Sequence, residues 1–233
     1  MESLGATTLD AIGLLLSGNA ELWSIIRISF STTFKAILIA TPVAFLLGYL
    51  LSSSRFPGRW ALISLFNSLL SVPTVVVGLL LYILLSRSGP LGDLKLLFTE
   101  TAMVLGQVAL AFPVLVAMSL ASFKAADRSV WETARTLGAS PWRAFATLAH
   151  ELRYGLAAAC IAAYGRIISE VGCSMMIGGN ILNHTRNIPT AIALETSKGE
   201  FSQGIALGLV LLLMALGLNI CITYLHRRSE AFP

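Results

Sequence analysis

Five long apolar stretches dominate this chain, running approximately over residues 23–51, 60–85, 99–123, 153–177 and 203–225. A helix needs about 20 predominantly apolar residues to cross the hydrocarbon core of a bilayer, and each stretch is long enough. Lipid offers no partner to an unsatisfied peptide group, so a spanning segment is either a helix or a strand of a closed barrel. The stretches lack the strict alternation of barrel strands, which leaves helices. Only 12% of the 233 residues are charged while 56% are hydrophobic, and the mean hydropathy is +0.79. A soluble domain carries roughly 25% charged residues, so most of the outer surface here is expected to face lipid. The sequence therefore predicts an all-α membrane protein with five transmembrane helices. Pro42, Pro73 and Pro113 fall inside the first three spans, where neighbouring helices tolerate a kink. The segment Leu9–Ser17 is too short to cross and is expected to lie along the interface. Glu2 and Asp10 make the amino terminus acidic, unlike the basic start of a secretory signal.

Charge placement orients the bundle. Arg55 and Arg59 follow the first span; Lys124, Arg128, Arg135, Arg143 and Arg153 follow the third; Arg227 and Arg228 end the chain. The alternate connections hold only Arg87, Lys95, Arg186 and Lys198, and residues 1–22 hold no Lys or Arg. The positive-inside rule places the amino terminus outside and the carboxyl terminus in the cytoplasm, as an odd number of spans requires. The expected organisation is an external or interfacial segment 1–22, a transmembrane domain 23–226 containing a cytoplasmic loop 124–152, and a cytoplasmic tail 227–233. The net charge of +4 is explained by this topology. The basic residues neither cluster with aromatics nor form a stripe, so no nucleic acid partner is indicated.

The loop 124–152 carries its own helix punctuation. Ser129, Val130, Trp131 and Glu132 read as a capping box, with Ser129 as N-cap and Glu132 at the third helical position. Gly138 ends that helix in the left-handed conformation, and Ser140-Pro141 starts a second one with Ser as N-cap and Pro at its first position. A short helix, a tight turn and a longer helix at the cytoplasmic face make a knuckle suited to docking into another protein. Trp131 and Trp142 are either interfacial anchors or apolar knobs for that docking.

The stretch Glu132-Thr133-Ala134-Arg135-Thr136-Leu137-Gly138-Ala139-Ser140-Pro141 resembles the EAA loop of ABC import permeases, with the aliphatic position of the motif at Leu148. Thr133 departs from the usual Ala, and His150-Glu151 stands where many members have Leu-Pro. Further along, Glu170-Val171-Gly172 is similar to the Glu-Phe-Gly of molybdate and sulfate permeases, and the run from Thr185 to Phe201 resembles the tungstate-type branch. The resemblance covers nearly the whole chain from the first span onward. It implies a MetI-like, type I importer fold working as a homodimer in the cytoplasmic (inner) membrane of a prokaryote and importing an oxyanion, tungstate by its branch, with molybdate or sulfate as the alternatives. It implies a cytoplasmic ABC ATPase dimer that uses ATP and Mg, and an extracellular or periplasmic binding protein that delivers the oxyanion. Glu132, Ala134, Arg135, Leu137, Gly138, Ser140 and Pro141 are then the coupling residues. No G-x-x-x-x-G-K-[ST] occurs, so hydrolysis belongs to the partner and the chain is expected to bind no cofactor itself.

The remaining candidates stay open on sequence. Arg166 and Glu170, four apart in a span, are either a self-neutralising pair or part of a gate with Pro73, Gly172 and Ser174. The external segment Asn183-His184-Thr185-Arg186-Asn187, above all Thr185, Arg186 and Asn187, either meets the binding protein or offers donors to an oxyanion. Lys35 is read as snorkelling to an interface. Cys160, Cys173 and Cys221 are expected to be buried apolar residues. Gly204 and Gly208 form a G-x-x-x-G that suggests close helix packing. His150-Glu151 lacks the second His of a zinc motif. An intramembrane enzyme using Ser169, Glu170 or Cys173 finds no paired base. An ATP-independent anion channel leaves the capped loop without a purpose.

Overall fold

The computed structural model describes residues 11–230, so Glu2, Leu9, Asp10 and the last three residues of the tail lie outside it. All regular structure among the described residues is helical. After a short helical stretch over 11–16 the order is α1 (Ala20–Ser53), α2 (Arg59–Leu69), α3 (Thr74–Leu85), a 3-10 turn (Gly92–Leu94), α4 (Glu100–Ala125), α5 (Arg128–Thr136), α6 (Pro141–Glu151), α7 (Arg153–Ile168), α8 (Gly172–Gly178), α9 (Ile188–Lys198) and α10 (Phe201–Glu230).

Among the described residues three helices are long and apolar enough to cross a membrane: α1, α4 and the Phe201–Leu225 part of α10. The second and fourth expected spans are not continuous helices. The chain turns by 100° between α2 and α3 and by 64° between α7 and α8, so the count reaches five if each bent pair forms one span. Pro42 and Pro113 stay inside α1 and α4 as expected, but Pro73 is the N-cap of α3. A proline pushes the residue before it out of the helical region and lacks the N–H that continues the ladder. At Pro73 these constraints open a break where the sequence reading allowed a kink. At the other break the Ser169 hydroxyl donates back to the carbonyls of Gly165 and Arg166, at 3.4 and 3.2 Å, satisfying groups that a continuing helix would use.

The residues form two compact units. Among the described residues the first comprises 11–39, 72–111 and 164–217. One of its cores joins α1, α9 and α10 through Leu22, Ile25, Ile188, Ala191 and Leu207, with the buried Ala11 of the 11–16 stretch added to it. The other joins α3, α4 and α8 through Leu85, Ala102, Cys173 and Ile177. The second unit comprises 40–71, 112–163 and the described residues from 218 onward, and its core gathers Phe123, Leu148 and Leu156 with Phe45, Tyr49 and Phe145 around them. The best apolar window of α4 is 56% buried and that of α10 only 11%, and α10 leaves Leu212, Leu213, Leu216 and Ile220 exposed. Cys173 is buried and Cys160 half-buried, but Cys221 is exposed on α10, contrary to its expected burial.

Candidate functional site: a capped knuckle and a helix crossing

In the second unit α5 and α6 form the expected knuckle, and its caps are built from neighbouring residues. The start lies earlier than the sequence suggested. Asp127, not Ser129, is the N-cap of α5, and its Oδ1 accepts the Ser129 N–H at 2.9 Å. Asp caps as well as Ser does, and it adds a negative charge at the positive end of the helix dipole. The bond from Ser129 holds the Asp127 carboxyl below its ordinary value of 3.8. Glu132 therefore is not a capping-box residue. It stands exposed, one turn into α5, free of that structural duty.

The turn follows the expected chemistry. Gly138 has φ 85°, in the left-handed region, and nothing lies within 4 Å of a Cβ built there. The Ala139 N–H reaches the Ala134 carbonyl at 3.0 Å and the Gly138 N–H the Arg135 carbonyl at 3.1 Å, the two bonds of a Schellman cap. Arg135 Nη1 donates to the Ala139 carbonyl at 2.6 Å and ties the turn from outside. Ser140 Oγ accepts the Arg143 N–H at 3.4 Å, and Pro141 opens α6. On the knuckle Glu132, Arg135, Leu137, Gly138, Ser140 and Pro141 are exposed and Ala134 is half-buried, with Leu137 83% exposed. The two tryptophans divide. Trp131 packs on Tyr49 with ring centroids 5.5 Å apart, whereas Trp142 is 67% exposed beside Phe145.

Sequence reading missed what the knuckle stands on. Tyr49 of α1 also meets Phe145 at 4.9 Å and Phe123 at 5.6 Å, so one aromatic side chain anchors α4, α5 and α6 together. Arg59 Nε donates to the Leu51 carbonyl at 2.6 Å and closes the end of α1 onto the start of α2. Beside these residues lies a groove of about 890 Å3, lined among others by Arg55, Arg59, Lys124, Asp127, Trp131 and Glu132.

In the first unit α3 crosses α8. A Cβ at Gly78 would stand 2.8 Å from the Cys173 Cα, and one at Gly172 would stand 2.6 Å from Val75 Cγ2. Pro73, Gly172, the buried Ser174 and the buried Glu170 are gathered around this crossing. Arg166 is not. It is exposed on α7, while Glu170 lies beyond the end of α7, so the two do not share a helical face. The ion pairs among the described residues are Lys35–Glu100, Arg186–Glu21 and Lys198–Glu195. Glu170 Oε1 instead accepts the Cys173 N–H at 3.3 Å, at the start of α8.

The 185–187 segment is committed to the fold. Thr185 Oγ1 donates to the Gly178 carbonyl at 2.5 Å and accepts the Ile181 N–H at 3.0 Å. Asn187 caps α9 in a reciprocal box with Thr190. Arg186 pairs with Glu21 at 3.3 Å. Further donors line a cleft of about 410 Å3 in this unit, formed by Ser24, Arg27, Ser31, Lys35, Asn183 and His184 with Glu100, which already accepts from Ser31 and Lys35. Lys35 does not merely snorkel: its Nζ lies 2.7 Å from Glu100 Oε1. Gly204 faces Thr196 Oγ1 at 3.8 Å and Gly208 faces open space, so neither touches another span closely within the chain.

Residues 40–231 match the family model described as binding-protein-dependent transport system inner membrane component. The chain is 37% identical over 222 residues to the tungstate uptake system permease protein TupB of Peptoclostridium acidaminophilum, covering 95% of this chain and 97% of that protein. It is 47% identical over 160 residues to TupB of Campylobacter jejuni, covering 69% of this chain and 66% of that one. The molybdenum transport system permease protein ModB of Escherichia coli is 30% identical over 188 residues, with coverage of 76% and 82%. Among solved structures, the MetNI methionine ABC transporter in inward-facing conformations superposes with a TM-score of 0.61 at 16% identity, over 92% of this chain and 95% of that one, which establishes the MetI-like fold. The chain belongs to the family of binding-protein-dependent transport system inner membrane components, and it is a multi-pass protein of the cytoplasmic membrane.

Proposed function

We propose that this chain is the permease subunit of an ABC importer that carries tungstate across the cytoplasmic membrane. The observation that carries the reading is the end-to-end likeness to the tungstate permease of Peptoclostridium acidaminophilum, over 95% of this chain, joined to a knuckle whose exposed apolar tip has no partner of its own. In this reading two copies form the pathway, each with five spans, the amino terminus outside and the carboxyl terminus in the cytoplasm. The bent pairs α2–α3 and α7–α8 each count as one span. Two ATPase subunits dock on the knuckles at Leu137, with Glu132 and Arg135 beside it, and bind and hydrolyse ATP with Mg. A binding protein delivers the oxyanion from outside.

The mechanism follows from rigidity. Both ends of the α5–α6 turn are capped and its base is fixed on Tyr49, so a push on the knuckle is carried into α1 and α4 rather than absorbed by the loop. Each arrangement of the pathway must be favoured by different ligands, because a ligand of equal affinity for both states shifts nothing. Molybdate is the second reading, favoured by the likeness to ModB.

Elemental mass spectrometry of cells with the gene deleted and then restored separates these. Loss and recovery of tungsten alone is the expected result. Joint loss of molybdenum would mean a broader oxyanion permease, and unchanged tungsten, molybdenum and sulfur would overturn the substrate. In the same strain Leu137→Glu should abolish recovery at normal membrane abundance, since a charge at a docking tip is desolvated without a partner.

A further inference from the structure

The cleft of about 410 Å3 in the first unit has a composition that the packing of the fold does not require. Arg27, Ser31 and Lys35 recur at intervals of four along α1 and so lie on one face, rising about 12 Å along the helix axis from first to last. Ser24 adds a hydroxyl at the same end as Arg27, and the 179–187 connection brings Asn183 and His184 to the cleft. Arg27 is exposed and makes no ion pair among the described residues. Ionisable side chains in a spanning helix are costly and mark paths for polar cargo. The volume falls in the lower part of the roughly 300–1,000 Å3 typical of small-molecule sites.

One part of the cleft already holds an anion that belongs to the chain. A single carboxylate oxygen of Glu100, Oε1, accepts both from Lys35 Nζ at 2.7 Å and from Ser31 Oγ at 3.2 Å. These are the ammonium and hydroxyl donors that a tetrahedral oxyanion would use. Both members of the ion pair are near half exposed, at 51% and 42%, so the pair is weak and open to competition.

We propose that this cleft is the permease's own receiving site for a dianionic tetrahedral oxyanion. The anion enters against Arg27 and Ser24, then displaces the Glu100 carboxylate from Lys35 and Ser31. Glu100 is thus a resident counter-ion, cancelling one of the two positive charges of the empty cleft and returning when the anion moves on. A site whose donors are held by an exchangeable carboxylate binds weakly, which conduction needs. The inference rests on the oxyanion-importer reading and names its site, in place of Thr185 and Asn187, whose hydrogen bonds are used internally.

The test is initial tungsten uptake, by elemental mass spectrometry, in the deletion strain complemented with variants, each normalised to membrane abundance by immunoblot. If the unmodified gene restores no tungsten, molybdenum or sulfur uptake, the importer reading itself fails and this site falls with it. If it restores tungsten, Arg27→Gln with Lys35→Gln should slow uptake at least about tenfold, because two charged donors are lost. Lys35→Arg should keep the rate within about twofold, as it keeps the charge. Arg27→Gln alone breaks no ion pair seen here and should still slow uptake several-fold, which covers the case of a double variant that does not reach the membrane. Glu100→Gln distinguishes the site from a structural tie. A counter-ion can be neutralised with uptake largely kept, whereas a tie fails alike from either side. Wild-type rates in both glutamine variants of the cations, or a loss in Glu100→Gln as deep as in Lys35→Gln, would overturn the proposal.

Discussion

The α5–α6 knuckle and the α3–α8 crossing both turn on a glycine, but for opposite physical reasons. Gly138 has open space where its Cβ would be and a φ of 85°, so its role is conformational. Gly78 has an ordinary helical backbone and Cys173 Cα 2.8 Å from the position of its missing Cβ, so its role is steric. The knuckle is held by bonds between residues a few positions apart, from Asp127 to Ser129 and from Ala139 to Ala134. The crossing is held by apolar contact between segments some hundred positions apart in the chain, roughly the length of a small domain. A locally determined element keeps its shape whatever it docks on. A tertiary close approach keeps its shape only while both helices stay packed.

The largest effect should therefore come at the crossing. Gly78→Val forces α3 away from the α8 backbone, which has no rotamer with which to give way. A loss of about 3 kcal/mol is expected, at the upper end for overpacking, read as a lowered thermal midpoint of the detergent-purified protein. Gly78→Ala should be milder yet still measurable. If Val were accommodated without loss, the close approach would not be what fixes α8.

At the knuckle the same kind of substitution should cost less and for a different reason. Gly138→Ala meets no atom, and only the left-handed backbone opposes it, at about 1–2 kcal/mol. Asn tolerates that region better, so Gly138→Asn should recover part of the loss, whereas Gly78→Asn should recover none. This asymmetry between the two sites is the sharpest check on the comparison. Ser140→Ala follows, at or below about 1 kcal/mol, because the capping bond to the Arg143 N–H is long at 3.4 Å.

That division also accounts for what could be read from the residues alone. The Gly138 turn and the Ser140-Pro141 start were legible because caps are written in adjacent residues. The start of α5 was placed at Ser129 because Ser-x-x-Glu is a capping signal in its own right, and only the backbone distinguishes it from the Asp127 cap two positions earlier. Apolar length revealed the membrane class but not the breaks at Pro73 and Ser169, since a spanning proline is compatible with both a kink and a turn of 100°. A spacing of four puts Arg166 and Glu170 on one face only if the helix continues, and it ends at Ile168. The receiving cleft was invisible for the converse reason: Lys35 and Glu100 stand 65 positions apart, and no local pattern joins them.

The smallest expected effect concerns the first cap of the knuckle. The bond from the Ser129 N–H favours the ionised form of Asp127, which places its folded pKa below the ordinary 3.8. A group depressed in this way contributes stability above its unfolded value and loses it as pH falls through the folded one. Near neutral pH the cap is complete, and no dependence is expected until well into the acid range. Following the Asp127 carboxyl carbon and the Ser129 amide by NMR as pH is lowered should give one shared midpoint, below 3.8. Asp127→Asn should remove the midpoint from the Ser129 amide while keeping α5 capped, because an amide oxygen accepts the same bond without titrating. A midpoint at or above the ordinary value would mean that the bond to Ser129 is not sustained in solution. The first turn of α5 would then be held by Tyr49 packing against Trp131, and the knuckle would depend on tertiary contact as the crossing does.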